Sequence, residues 1–198
     1  AITTLIDGRG SNALYSLGID SNTYQVTDAT FGLQNQCTFS VTVKDTIKPT
    51  LDCPPNISTV TDPGECGKIY SFNLPTATDN CSAPLGGLVV TQTGGVLSGT
   101  EFPVGTTTLV FSTTDSSNNI GTCSTDVIVI DNQKPSITCP QDTIVFTNFN
   151  ECEAIVNYND PIAADNCPNF IVSEIFPNTE SGASFPIDTT IVGYRVND

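Results

Sequence analysis

Acidic side chains and cysteines carry most of the chemistry that this 198-residue sequence offers, because it contains 21 Asp and Glu, eight Cys and no His. Without an imidazole, Ser/His/Asp and Cys/His nucleophile arrangements are excluded within the chain. The carboxylates are plentiful but do not fall into acid/base pairs, and the cysteines are periodic, which marks them as staples rather than nucleophiles. The chain therefore does not read as an enzyme, and no cofactor is required. The remaining chemistry is oxygen ligation of a hard cation. Ca²⁺ accepts six to eight oxygen ligands in flexible geometry. Two sets of residues suit it: Asp45, Asp79, Asn80 and Asp115, then Asp131, Asp165, Asn166 and Asp198. The competing role for the same aspartates is the capping of turns through side-chain to backbone hydrogen bonds. No dense Asp-x-Asp-x-Asp loop accompanies them.

The elements that would position these groups recur along the chain. Cys37 and Cys123, Cys53 and Cys139, Cys66 and Cys152, and Cys81 and Cys167 are each 86 positions apart. Equal offsets of this kind are the signature of a repeat architecture. Lys48-Pro49-Thr50-Leu51-Asp52-Cys53-Pro54 returns as Lys134-Pro135-Ser136-Ile137-Thr138-Cys139-Pro140, and Ala77-Thr78-Asp79-Asn80-Cys81 as Ala163-Ala164-Asp165-Asn166-Cys167. Phe102-Pro103-Val104-Gly105 with Phe111 and Asp115 matches Phe185-Pro186-Ile187-Asp188 with Tyr194 and Asp198, and Tyr15-Ser16-Leu17-Gly18 with Tyr24 and Asp28. The aromatic residues of this line are expected in the core.

Within one copy the pattern is all-β. Residues 57–60, 68–74, 88–93, 106–113 and 123–130 are short segments rich in Val, Ile, Thr and aromatics, separated by turn signals. Such segments within about 86 residues predict tandem immunoglobulin-like β-sandwich repeats. Residues 1–47 read as the C-terminal half of a repeat, 48–133 as a complete one and 134–198 as the N-terminal three quarters of another. The last copy lacks the equivalent of the 123–130 strand, which predicts a window on a longer array; strand donation by a neighbouring molecule is the rival reading.

In a sandwich of this kind the first strand enters and the last strand starts at the same end. Cys53 is therefore expected to bond Cys123, leaving Cys66 with Cys81 and, one copy on, Cys152 with Cys167. Cys37 and Cys139 would take partners outside these residues. The same end carries the Asp79-Asn80 loop and the loop opened by Asp115, so junction residue Asp45 should converge with them, and Asp131 with Asp165, Asn166 and Asp198.

A net charge of −15 disfavours nucleic acid and anionic lipid surfaces and favours multivalent cations. Eight cysteines in this pattern belong to an oxidising compartment. No apolar run reaches the roughly 18 residues of a membrane span, so no direct membrane insertion is expected here. Asp131 to Pro135, Cys53-Pro54, Thr76 to Asn80, Phe102 to Gly105 and Asp115 to Cys123 together resemble the HYR (hyalin repeat) family. Two departures stand out: Ser117-Asn118-Asn119-Ile120-Gly121 replaces the usual Gly-Asn turn, and Ala29 to Gln36 is one residue longer. The resemblance implies immunoglobulin-like modules of extracellular proteins linked to adhesion, including long bacterial surface proteins.

The expected role is thus a structural or adhesive stalk segment at the cell surface, working through reach and multivalency. Its partners would be other repeats of the same chain and a surface ligand or neighbouring filament subunit. The alternative is a module that recognises carbohydrate or protein through its end loops. Asn56-Ile57-Ser58 fits an N-glycan acceptor. The threonines of Asp45-Thr46-Ile47, Asp142-Thr143-Ile144 and Asp188-Thr189-Thr190 resemble a bacterial O-glycan acceptor, making Thr46, Thr143 and Thr189 candidates.

Overall fold

The computed structural model describes residues 1–81 and 87–198, and among these the chain is all-β, built as tandem immunoglobulin-like β-sandwich repeats. In residues 1–47, β1 (Ile2–Asp7), β2 (Gly18–Thr27) and β3 (Gln34–Val43) form an antiparallel sheet in that order. The loop after Asp28 closes through the Asp28 amide on the Leu33 carbonyl, with Gly32 at φ 67°. Its counterpart after Asp115 closes one residue sooner, on the Asn119 carbonyl.

Residues 48–133 contain β4 (Thr50–Asp52), β5 (Ile57–Val60), β6 (Gly67–Tyr70), β7 (Thr76–Thr78), β8 (Thr91–Gly94), β9 (Thr100–Pro103), β10 (Gly105–Thr114) and β11 (Ile120–Ile130). Strands β5, β11, β10 and β8 form one sheet in that order; β4 pairs with β7 and β6 with β9. Period-2 alternation decides which face is buried. Leu109, Phe111 and Thr113 turn inward from β10, and Thr125, Val127 and Val129 from β11. Phe102 joins them from β9, with Tyr70 and Phe72 edge-on at 6.1 and 6.4 Å between ring centres. Relative to expectation, the strand starting near residue 68 ends at Tyr70, because the Phe72 amide takes the Ser98 hydroxyl instead of a ladder partner.

Strand β11 passes so close to the chain leading into β4 that a Cβ on Gly121 would collide with the Pro49 carbonyl oxygen and press on Leu51. Backbone cannot yield as a flexible side chain would, so Gly121→Ala is expected to destabilise the repeat by about 1–3 kcal/mol, the usual range for overpacking. Chemical denaturation reads this directly. Gly105→Ala meets no neighbouring atom but sits at φ 110°, so its cost would arise from backbone strain alone.

In residues 134–198, β12 (Ser136–Thr138) pairs with β14 (Ile162–Ala164), β13 (Glu153–Ile155) with β16 (Ser184–Pro186), and β15 (Ile171–Glu174) with β17 (Tyr194–Asn197). The first two pairs reproduce β4–β7 and β6–β9. Residues 143–146, the counterpart of β5, form no strand, and Ile144 and Phe146 are exposed. The physical reason is local: β5 is held by its parallel pairing with β11, Val60 opposite Ile130, and residues 134–198 contain no counterpart of β11. The expected core aromatics divide in the same way. Phe102 and Phe111 are fully buried and Tyr24 and Tyr194 half-buried. Tyr15 is half-buried as well, its hydroxyl donating to the Gly10 carbonyl at 2.8 Å.

Two compact units divide the chain, one of residues 1–53, 74–91 and 111–123, the other of residues 54–73, 92–110 and 124–198. Each holds one of the two junctions between consecutive repeats: Asp45 to Pro49 in the first and Asp131 to Pro135 in the second.

Candidate functional site at the repeat junctions

Five of the six candidate aspartates hold the same local structure, an Asx turn in which one carboxylate oxygen accepts the amide two residues on. The Asp45 carboxylate accepts the Ile47 amide at 3.0 Å, Asp79 that of Cys81 at 3.0 Å and Asp115 that of Ser117 at 2.8 Å. At the second junction Asp131 accepts the Gln133 amide at 3.0 Å and Asp165 that of Cys167 at 3.2 Å. Turn capping and ligation are thus not rivals here. Capping fixes each carboxylate through one oxygen and orients the group.

The three carboxylates of each junction converge. Asp45, Asp79 and Asp115 each place a carboxylate oxygen within 4.8 Å of the others, and so do Asp131, Asp165 and Asp198. Asp115 is 7% exposed. Burial pushes its carboxyl up, but bonds from the Asn119 side chain and amide and from the Ser117 amide outweigh this and hold it below the usual carboxylate range. At the second junction the Asn166 side-chain amide donates to Asp131 at 3.2 Å and to the Glu65 carbonyl at 2.9 Å. Buried there with no hydrogen-bond partner are Oδ1 of Asp165 and Oδ1 of Asn166. Desolvated acceptor oxygens of this kind, one within the carboxylate trio and one from the neighbouring Asn166, are of the chemical type that hard cations take as ligands.

Not every candidate joins its cluster. Asn80 is exposed and its side-chain amide turns to the Cys81 sulfur at 2.9 Å. Its place is taken by Asn119, whose side chain bridges the Asp45 carbonyl at 3.2 Å and the Asp115 carboxylate at 2.8 Å. Asn118, at φ 67°, takes the left-handed conformation that a Gly-Asn turn assigns to glycine, which Asn tolerates better than most residues. The departure from the Gly-Asn pattern therefore conserves the turn, and Asn119 stands where that pattern has its Asn. A second unforeseen residue is Gln133, which donates to the Thr61 hydroxyl and the Asp62 carbonyl, both at 3.1 Å, and accepts from the Gly64 amide at 2.9 Å. The glycan candidates Thr46, Asn56, Thr143 and Thr189 are all exposed.

Residues 44–129 and 130–198 each match the model of the HYR domain. The chain belongs to the HYR domain family. Among its relatives, it is 27% identical over 189 residues to "Hyalin" of Strongylocentrotus purpuratus, covering 93% of this chain and 15% of that protein. It is 29% identical over 204 aligned positions to "Hyalin" of Lytechinus variegatus, covering 100% of this chain and 37% of that protein. The chain thus spans well under half the length of these relatives. A solved structure titled "Protocadherin gammaB7 EC3-6 cis-dimer structure" aligns with 93% of this chain and 59% of its own, at 15% identity and a TM-score of 0.36.

One disulfide lies within an HYR domain and the other joins one domain to the next. Cys53 is bonded to Cys123, with 6.1 Å between their Cα atoms. Cys66 is bonded to Cys167, at 4.8 Å between Cα atoms, which corrects the expected pairs Cys66 with Cys81 and Cys152 with Cys167. The reason lies in register. Parallel pairing of β5 with β11 sets the turn carrying Cys66 beside the last residues of β11, and the Thr61 amide bonds the Ile130 carbonyl. Cys81 instead follows β7, whose Thr78 lies opposite Thr50, beside the Pro49 that meets Gly121 at the first residues of β11. Cα atoms farther than about 7 Å apart cannot be bridged without moving the backbone. Cys37, Cys81, Cys139 and Cys152 are unbonded and exposed.

Proposed function

We propose that this chain is a stalk segment of an extracellular, adhesion-type HYR repeat protein, a spacer whose junctions are reinforced and take Ca²⁺, rather than an enzyme. The observation that carries this reading is the repetition of one junction design. Each junction brings three carboxylates together, and the second also carries a disulfide and the Gln133 and Asn166 bonds from one HYR domain to the next. A module that acted alone would gain nothing from investing its buried polar groups and a cystine at its connections. The end-loop recognition alternative draws little support. The most exposed aromatics, Phe146 and Phe149, lie in or just beyond the stretch whose counterpart pairs with β11, so their exposure has a structural reason.

Calcium would be ligated by Asp45, Asp79 and Asp115 at the first junction, and by Asp131, Asp165, Asp198 and the Asn166 oxygen at the second. At this net charge a cation would also relieve like-charge repulsion. Thermal unfolding and small-angle scattering of multi-repeat protein, in chelator and in millimolar Ca²⁺, test both halves of the reading. A ligand at 100 times its Kd stabilises by about 2.7 kcal/mol, so melting should shift upward by several degrees. An unchanged melting temperature and length would dispose of calcium while leaving the spacer intact. The spacer itself requires that length grow by roughly 40 Å per added repeat, the span of strands of six to eight residues plus loops.

A further inference from the structure

The two bonded cysteines at the second junction have exact sequence counterparts that are unbonded, and their surroundings match. Cys167 sits in the Asx turn of Asp165, with the Asn166 amide 3.5 Å from its sulfur. Cys81, 86 positions earlier, sits in the Asx turn of Asp79, with the Asn80 amide 2.9 Å from its sulfur. Cys66 follows Glu65, whose amide closes a turn on the Asp62 carbonyl at 3.0 Å. Cys152, 86 positions later, follows Glu151, whose amide closes the matching turn on Asn148 at 3.2 Å. The Glu65-Cys66 turn therefore meets the Asn166-Cys167 turn through both the cystine and the Asn166 to Glu65 hydrogen bond.

From this we infer that the Cys66–Cys167 bond is one rung of a ladder: in an array of these repeats, the Glu-Cys turn of every repeat is joined by a disulfide to the Asn-Cys turn of the next. Cys152 is then the donor half of the following rung and Cys81 the receiving half of the preceding one. Each repeat carries one internal bond of the Cys53–Cys123 kind and shares two bonds with its neighbours. The ladder goes beyond the spacer reading and does not depend on whether the junctions take calcium.

Each rung forms by two thiol–disulfide exchanges with a disulfide oxidant, protein or small molecule. One thiolate attacks a sulfur of the oxidant, giving a mixed disulfide and releasing the first half of the oxidant as a thiol. The partner thiolate then displaces the second half. The two cysteines lose two protons and two electrons, and the oxidant leaves as two thiols.

The test is the count of alkylatable thiols, by intact mass under denaturing, non-reducing conditions, in this chain and in the same chain with residues 48–133 duplicated in tandem. This chain should take four labels, on Cys37, Cys81, Cys139 and Cys152. The lengthened chain has four more cysteines, yet it should also take four labels, because the added copy closes one internal bond and one new rung. Six labels in the lengthened chain would mean that the rung does not propagate, and two in either chain would mean pairing within repeats. Either count overturns the ladder.

Discussion

Truncating Phe102 to alanine is expected to cost about 3–5 kcal/mol, the range for emptying a site of this size in a packed core. Its ring is fully buried, and the two edge-on partners Tyr70 and Phe72 add an aromatic component of roughly 0.5–1.5 kcal/mol per pair. A domain of immunoglobulin size is stabilised by only about 5–15 kcal/mol, so this one change removes a large share of the total. Guanidinium unfolding with the disulfides intact measures the loss. Phe39→Ala supplies the contrast: that ring is 50% exposed and stacks on Tyr24 at 6.2 Å between ring centres. A surface-like change should fall below about 1 kcal/mol. Equal losses for the two variants would contradict the core placed here around Phe102, Leu109, Phe111, Val127 and Val129.

The second large effect is mechanical. When the oxidised chain is pulled by its two ends, tension passes from Cys66 directly to Cys167, and the 101-residue separation between them is shielded from extension. At about 3.5 Å per extended residue, reduction should release roughly 350 Å of additional contour length. Single-molecule force measurements with and without reductant resolve a difference of this size. The Cys53–Cys123 bond alone shields a separation of 70 residues, so Cys167→Ser should release an intermediate length. Identical contour lengths in oxidised and reduced protein would show that neither bond lies on the load path.

Strands long enough to alternate were legible from residue types. The burial of Leu109, Phe111 and Thr113 against Thr108, Val110 and Ser112 follows directly from period 2. Strands β4, β7, β9, β12 and β14, of three or four residues, escaped, since three residues display no period and their pairing depends on partners far away in sequence. Convergence of Asp45 with Asp79 and Asp115 was legible because the ends of an immunoglobulin-like sandwich are set by topology. The partner of Cys66 was not. An 86-residue offset identifies equivalent cysteines, but it cannot say whether a cysteine bonds within its repeat or across to the next. That distinction is set by the parallel β5–β11 register, which moves Cys66 to the far end of an eleven-residue strand. Gln133 was hidden for another reason: its counterpart is Ile47, so repetition gave no hint of it.

The two cystines interleave, Cys53 with Cys123 and Cys66 with Cys167, so that every peptide bond from residue 53 to residue 167 is spanned by at least one of them. Hydrolysis at any single position in that stretch, the exposed Lys134 of the second junction included, leaves one covalent molecule. For a protein exposed to secreted proteases, a nick in the connector would be a silent wound: the severed ends stay tethered by sulfur, and the break registers only when a reductant opens the bridges.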